Sequence, residues 1–155
     1  MVQEDSVPVA AQKLAWALSL AGIIPFAGLT ALLFLLPDAT QRSYAALALA
    51  TYGAVILSFL GGMRWGAVLN GSGAFAPTFA LSMVPPLAGW FALALPLPLP
   101  FIVHGVCFVL VAAWDWRAGR QGALEPWFVR LRTTISAIVV SLLILAATAT
   151  LYGTP

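Results

Sequence analysis

The run Ser58-Phe59-Leu60-Gly61-Gly62-Met63-Arg64-Trp65-Gly66 places one cation among small residues inside an otherwise apolar stretch. A lone guanidinium in hydrocarbon is costly, so it either snorkels to the headgroups on its methylene stem or meets an anion. Arg64 lies roughly 12 Å past the centre of its apolar run at ~1.5 Å per residue, which leaves both routes open. The one acid expected at the same depth is Asp115, so Arg64 and Asp115 form a candidate polar pair, with Arg117 a rival for the carboxylate. Gly62 and Gly66 have GxxxG spacing and Gly61 lies beside them. This pattern lets a second helix backbone approach closely, so the three glycines are the expected packing face.

His104 and Cys107 are three residues apart, a spacing that sets both on one helix face and suits a soft metal. Two ligands do not make a site, and the sequence holds no second His. His104 is therefore expected to bond a backbone carbonyl near the outer interface, and no metal or cofactor is expected. One His and five carboxylates, mostly between the apolar runs, give no serine or cysteine triad. No phosphate-cradling glycine loop is present, so no catalytic residue is assigned.

The elements that must position these residues follow from composition. Of 155 residues 62% are hydrophobic and 8% charged, whereas a soluble domain carries about 25% charged residues. Five spans of ~20 residues would absorb such a chain. A net charge of +2 is too small for a phosphate-tracking surface and excludes nucleic acid as a partner. Apolar runs cover about 14–36, 44–69, 75–95, 99–116 and 133–151. The predicted fold is all-α: a single domain over 1–155, an integral membrane bundle of five transmembrane helices. The first run is too long for a signal-peptide core, and its leader carries Glu4 and Asp5, so it is expected to remain as an anchor. Asn70-Gly71-Ser72-Gly73 is expected to close the second.

Pro25 interrupts the first run and Pro85-Pro86 the third. Each proline removes a donor and frees a carbonyl one turn earlier, near Ala21, Leu81 and Ser82. Kinks are predicted there, and in lipid the freed carbonyls need partners. Lys13, Arg64, Arg117, Arg120, Arg130 and Arg132 fall on one side of the predicted topology and Arg42 alone on the other. By the positive-inside rule the amino terminus is cytoplasmic and the carboxy terminus outside, in a bacterial inner membrane. Trp90, Trp114, Trp116 and Trp127 lie near run ends, where interfacial anchors belong. The single Cys107 allows no intramolecular disulfide. Glu125-Pro126 suits a helix start, after which Trp127, Phe128 and Leu131 alternate with Arg130 and Arg132. That pattern predicts a short helix at the headgroup level, with Trp127, Arg130 and Arg132 contacting anionic lipid or a partner.

Gly22-Ile23-Ile24-Pro25-Phe26, the stretch from Tyr52 to Gly66, the proline-broken third run and Trp127-Phe128-Val129-Arg130-Leu131-Arg132 together resemble a bacterial membrane-protein family. That family is a domain of unknown function related to mitochondrial transmembrane protein 69. The resemblance spans about residues 12–150 and is most specific at Ser-Phe-x-Gly-Gly-x-Arg-Trp-Gly. It implies a multi-span inner-membrane protein with no assigned reaction. Length and span count are also similar to the tryptophan-rich sensory proteins, whose Trp-Asn-Pro-Pro signature this sequence lacks.

The function expected is non-enzymatic: binding of an apolar ligand, or assistance to a membrane complex during assembly. The alternative is a small oligomeric transporter or channel subunit, because broken spans and an intramembrane cation mark such sites. The expected partners are the lipid bilayer, a membrane protein or a second copy of the chain, and an apolar small molecule.

Overall fold

The computed structural model describes residues 7–69 and 75–152. Glu4, Asp5 and the expected close of the second run at residues 70–73 lie outside them. Among the described residues seven helices follow in order: α1 (Val9–Ala21), α2 (Ile23–Leu35), α3 (Ala39–Leu69), α4 (Phe75–Ser82), α5 (Val84–Ala92), α6 (Leu99–Arg120) and α7 (Pro126–Tyr152). Continuous through α1 and α2, the apolar stretch Val9–Leu35 is long enough to cross a membrane, as are Ala39–Gly66, Leu99–Arg120 and Pro126–Tyr152. The chain is an all-α membrane bundle.

The third predicted span differs from the other four. It is divided at Met83, and its apolar helical stretch, Thr78–Ala92, is shorter than a full crossing helix. Pro85 and Pro86 sit in the first turn of α5, where a missing N–H costs least. They can start a helix there but cannot continue α4 through it. The first run breaks one turn before Pro25, at Gly22, whose carbonyl accepts a hydrogen bond from the Tyr52 hydroxyl at 2.9 Å. Loop chemistry sets the remaining boundaries. Asp38 Oδ1 accepts from the Gln41 amide at 2.8 Å and caps α3. Gly122, at φ 76°, takes the left-handed turn that ends α6.

Packing closes α2, α3, α5, α6 and α7 into a ring, with α3 also touching α6 across it and α1 resting on α2 and α7. The core follows the 3–4 residue period of each helix. On α3 it runs Ala46, Leu49, Ala50, Ala54, Leu57 and Leu60; on α6, Phe101, His104, Cys107, Phe108 and Val111; on α7, Ser136, Val139, Leu143 and Ala146. Phe26 of α2 packs edge-on to Tyr52 and Phe108, at centroid distances of 4.9 and 6.0 Å.

The outward faces carry Ile24, Phe34, Val55, Phe59, Leu110 and Ile144, all exposed. Several exposed hydroxyls are turned back on their own helices. Ser58 bonds the Ala54 carbonyl at 2.9 Å, Thr133 that of Val129 at 2.8 Å and Ser141 that of Ala137 at 2.9 Å. In hydrocarbon such hydroxyls have no water to bond, so this local pairing removes their desolvation cost.

Of the predicted packing glycines only Gly61 is at a close approach. A Cβ there would lie 2.6 Å from the Ser82 carbonyl and 2.8 Å from Pro86 Cγ, whereas at Gly62 or Gly66 it would meet nothing within 4 Å among the described residues. The physical reason is helical phase. Gly61 continues the buried stripe of Leu57 and Leu60, while Gly62 and Gly66 fall on the exposed side with Ser58, Phe59 and Met63. Gly61 lets α3 approach the carbonyl that Pro86 deprives of its amide partner.

Candidate functional site

The buried stripes of α3, α6 and α7 all end on charged residues. One period beyond Leu60 and Gly61 comes Arg64; four residues beyond Val111 comes Asp115; four before Ser136 comes Arg132. Helical phase thus turns all three side chains inward, where they meet. Arg64 donates from Nη2 to Asp115 Oδ1, and Arg132 donates from Nε to Asp115 Oδ2 at 2.9 Å. Their side chains are 15%, 5% and 12% exposed for Arg64, Asp115 and Arg132. Trp114 lies under the Arg64 guanidinium, with its ring centroid 4.2 Å from Cζ, a cation–π contact that holds the side chain against α6.

Arg132 therefore differs from its sequence expectation. Its place in a basic segment beside Arg130 predicts lipid or partner contact, yet it points into the bundle while Arg130 is exposed. No separate interfacial helix precedes the last span, since α7 runs unbroken from Pro126. Trp127, half-buried, donates from its indole nitrogen to Glu125 Oε2 at 2.6 Å. Arg117, the expected rival for Asp115, is exposed, and the second partner is Arg132. The signal for Arg132 in the sequence is its spacing from Ser136, Val139 and Leu143.

Two further polar contacts tie α5 and α4 to the rest of the bundle, the first through α6 and the second through α3. His104 is fully buried, with Nε2 3.1 Å from the Gly89 carbonyl. A carbonyl only accepts, so Nε2 carries the hydrogen. His104 Nδ1 and Thr30 Oγ1 have no hydrogen-bond partner among the described residues. A Cβ at Gly53 would stand 2.7 Å from His104 Nδ1, so the ring fills the gap that this glycine leaves. Nearer the arginines, the Trp65 indole donates to Ser82 Oγ at 2.8 Å, and Ser82 donates on to the Phe79 carbonyl at 2.8 Å. Among the described residues no three His, Cys, Asp or Glu side chains gather as metal ligands.

Beside the charged triad lies a cleft of about 360 Å³ walled by α1, α2, α3, α6 and α7. Leu18, Ile23, Phe26, Phe59 and Val139 make it apolar, and Arg132, Ser136 and Ser19 supply its polar atoms. A second groove, about 430 Å³ between α6 and α7, is lined by Ile102, Val106, Leu110, Val140 and Ile144 and holds no charge. Pockets for small ligands run from ~300 to 1,000 Å³ and pair apolar walls with a few polar anchors. Only the first of the two combines these features.

The family described as "Protein of unknown function (DUF3429)" matches residues 11–148. The chain belongs to this family. It is also similar to Transmembrane protein 69 of Xenopus tropicalis, at 33% identity over 135 residues that cover 84% of this chain and 52% of that protein. It spans about half the length of that curated relative. No solved structure matches it. The family match takes in the whole triad and every wall of the cleft.

Proposed function

We propose that this family member is a non-enzymatic multi-pass membrane protein that binds an apolar ligand in the cleft between α1–α2, α3 and α7. The observation that carries the reading is the cleft itself, an apolar cavity of about 360 Å³ with a cation at its edge. The charged groups beside it are engaged with one another, Arg64 and Arg132 both on Asp115, which favours holding a ligand over transforming it. The setting proposed is a bacterial inner membrane with the amino terminus in the cytoplasm. Arg117, Arg120 and Arg130 are exposed at one end of the bundle, a charge distribution that favours anionic headgroups on that side.

Purification in a mild detergent followed by native mass spectrometry tests the reading. The wild-type protein is expected to retain a lipophilic molecule, and Ala15→Phe, which fills the cleft from α1, to lose most of it. Val106→Phe, in the second groove, should leave it in place. A wild-type protein with nothing bound, or equal retention in both variants, would overturn the assignment.

A further inference from the structure

The triad is not neutral. It joins one carboxylate to two guanidiniums, all largely shielded from solvent, and leaves one positive charge in excess. The other carboxylates among the described residues are elsewhere. Asp38 caps α3 at its opposite end, and Glu125 holds the Trp127 indole. An uncompensated charge in a low-dielectric site is expensive, and an anion placed beside it recovers much of that cost. Arg132 is the member of the triad that lines the cleft. It commits only Nε to Asp115, and among the described residues no other hydrogen bond leaves its guanidinium, whose terminal nitrogens hold four further donor hydrogens.

From these observations we infer that the cleft takes a singly anionic amphiphile, its head on the terminal nitrogens of Arg132 and its acyl chain along the apolar wall. On α7 that wall runs from Phe128 past Ile135 to Val139, a length of roughly 16 Å at ~1.5 Å per residue. The planar fork of an arginine pairs equally well with a carboxylate or a phosphodiester. Both a free fatty acid and an anionic phospholipid carry the required chemistry. This inference rests on the cleft-binding reading above and adds the charge and orientation of the ligand.

The test uses delipidated full-length protein in detergent, titrated with oleate, phosphatidylglycerol and zwitterionic phosphatidylcholine under native mass spectrometry. At least one anionic amphiphile should bind about tenfold more tightly than phosphatidylcholine. Preference for oleate identifies a carboxylate head, and preference for phosphatidylglycerol a phosphodiester head. Arg132→Gln should abolish the preference and Arg132→Lys retain most of it, while Arg42→Gln, at the far end of α3, should leave it unchanged. A fatty acid with a diazirine on its chain should label the segment 128–139 of wild-type protein, a readout that needs no variant to fold. Binding without charge preference, or labelling confined to other segments, overturns this inference and leaves the cleft assignment standing. Absence of binding by all three amphiphiles overturns both.

Discussion

Asp115 carries two partners on two oxygens, so the three charges of the triad are not interchangeable. Removing either arginine leaves a neutral pair, whereas Asp115→Asn leaves two buried guanidiniums facing a neutral amide. The latter should cost about 3 kcal/mol or more, the range for breaking a buried charge pair, and Arg64→Gln or Arg132→Gln clearly less. Thermal unfolding in detergent reads the order, and an aspartate variant no worse than the arginine variants would refute it. A charge swap, Arg64→Asp with Asp115→Arg, should fail to rescue because it sets a new cation against Arg132. Depth along the helices makes Arg64 and Asp115 legible as a pair in the amino-acid sequence. Arg132 is hidden there by its neighbours, since a basic run reads as surface unless each residue is placed by helical phase.

At the scale of the element, close approach depends on which face a glycine occupies, and GxxxG spacing alone does not reveal it. Gly61→Ala should destabilise by ~1–3 kcal/mol, the usual cost of overpacking, because its Cβ would meet the Ser82 carbonyl at 2.6 Å. Among the described residues a Cβ at Gly62 meets nothing within 4 Å, and Gly62→Ala should be neutral or gain up to ~1 kcal/mol from helix propensity. Measured together by unfolding in detergent, equal effects of the two would show that α5 does not press on this face. Gly53→Ala belongs with Gly61→Ala, since its Cβ would strike the His104 ring. Hydropathy makes the long helices legible because each carries a continuous apolar run. It reads the third run as one span because Pro85-Pro86 leaves the apolar count unchanged while ending a helix, and only backbone donors distinguish the two cases.

At the scale of the whole molecule, two contacts fix the relative direction of the helices. Gly53 packs on His104, and eleven residues further along each helix Arg64 meets Asp115. Equal spacing on both elements means that α3 and α6 run in the same direction. The chain must then return between them, and α4–α5 is the segment that brings it back, with Gly61 beside Ser82 and Ala54 beside Gly89. The start of α1, the ends of α3 and α6 and the start of α7 therefore share one end of the bundle. Six of the seven cations gather there, while Arg42 hydrogen-bonds the Leu36 carbonyl at the other. Positive charge favours the cytoplasmic side, which sets the orientation to be tested. A reporter active only outside the cytoplasm should work when fused after Pro37, after Pro96 and at the carboxy terminus, and be silent after Gly122. The fusion after Pro96 is decisive for α4–α5, because this segment is the shortest and the one whose crossing the parallel course of α3 and α6 demands. Activity after Gly122 would reverse the orientation. Silence after Pro96 with activity after Pro37 would mean that the α5–α6 turn stops within the membrane.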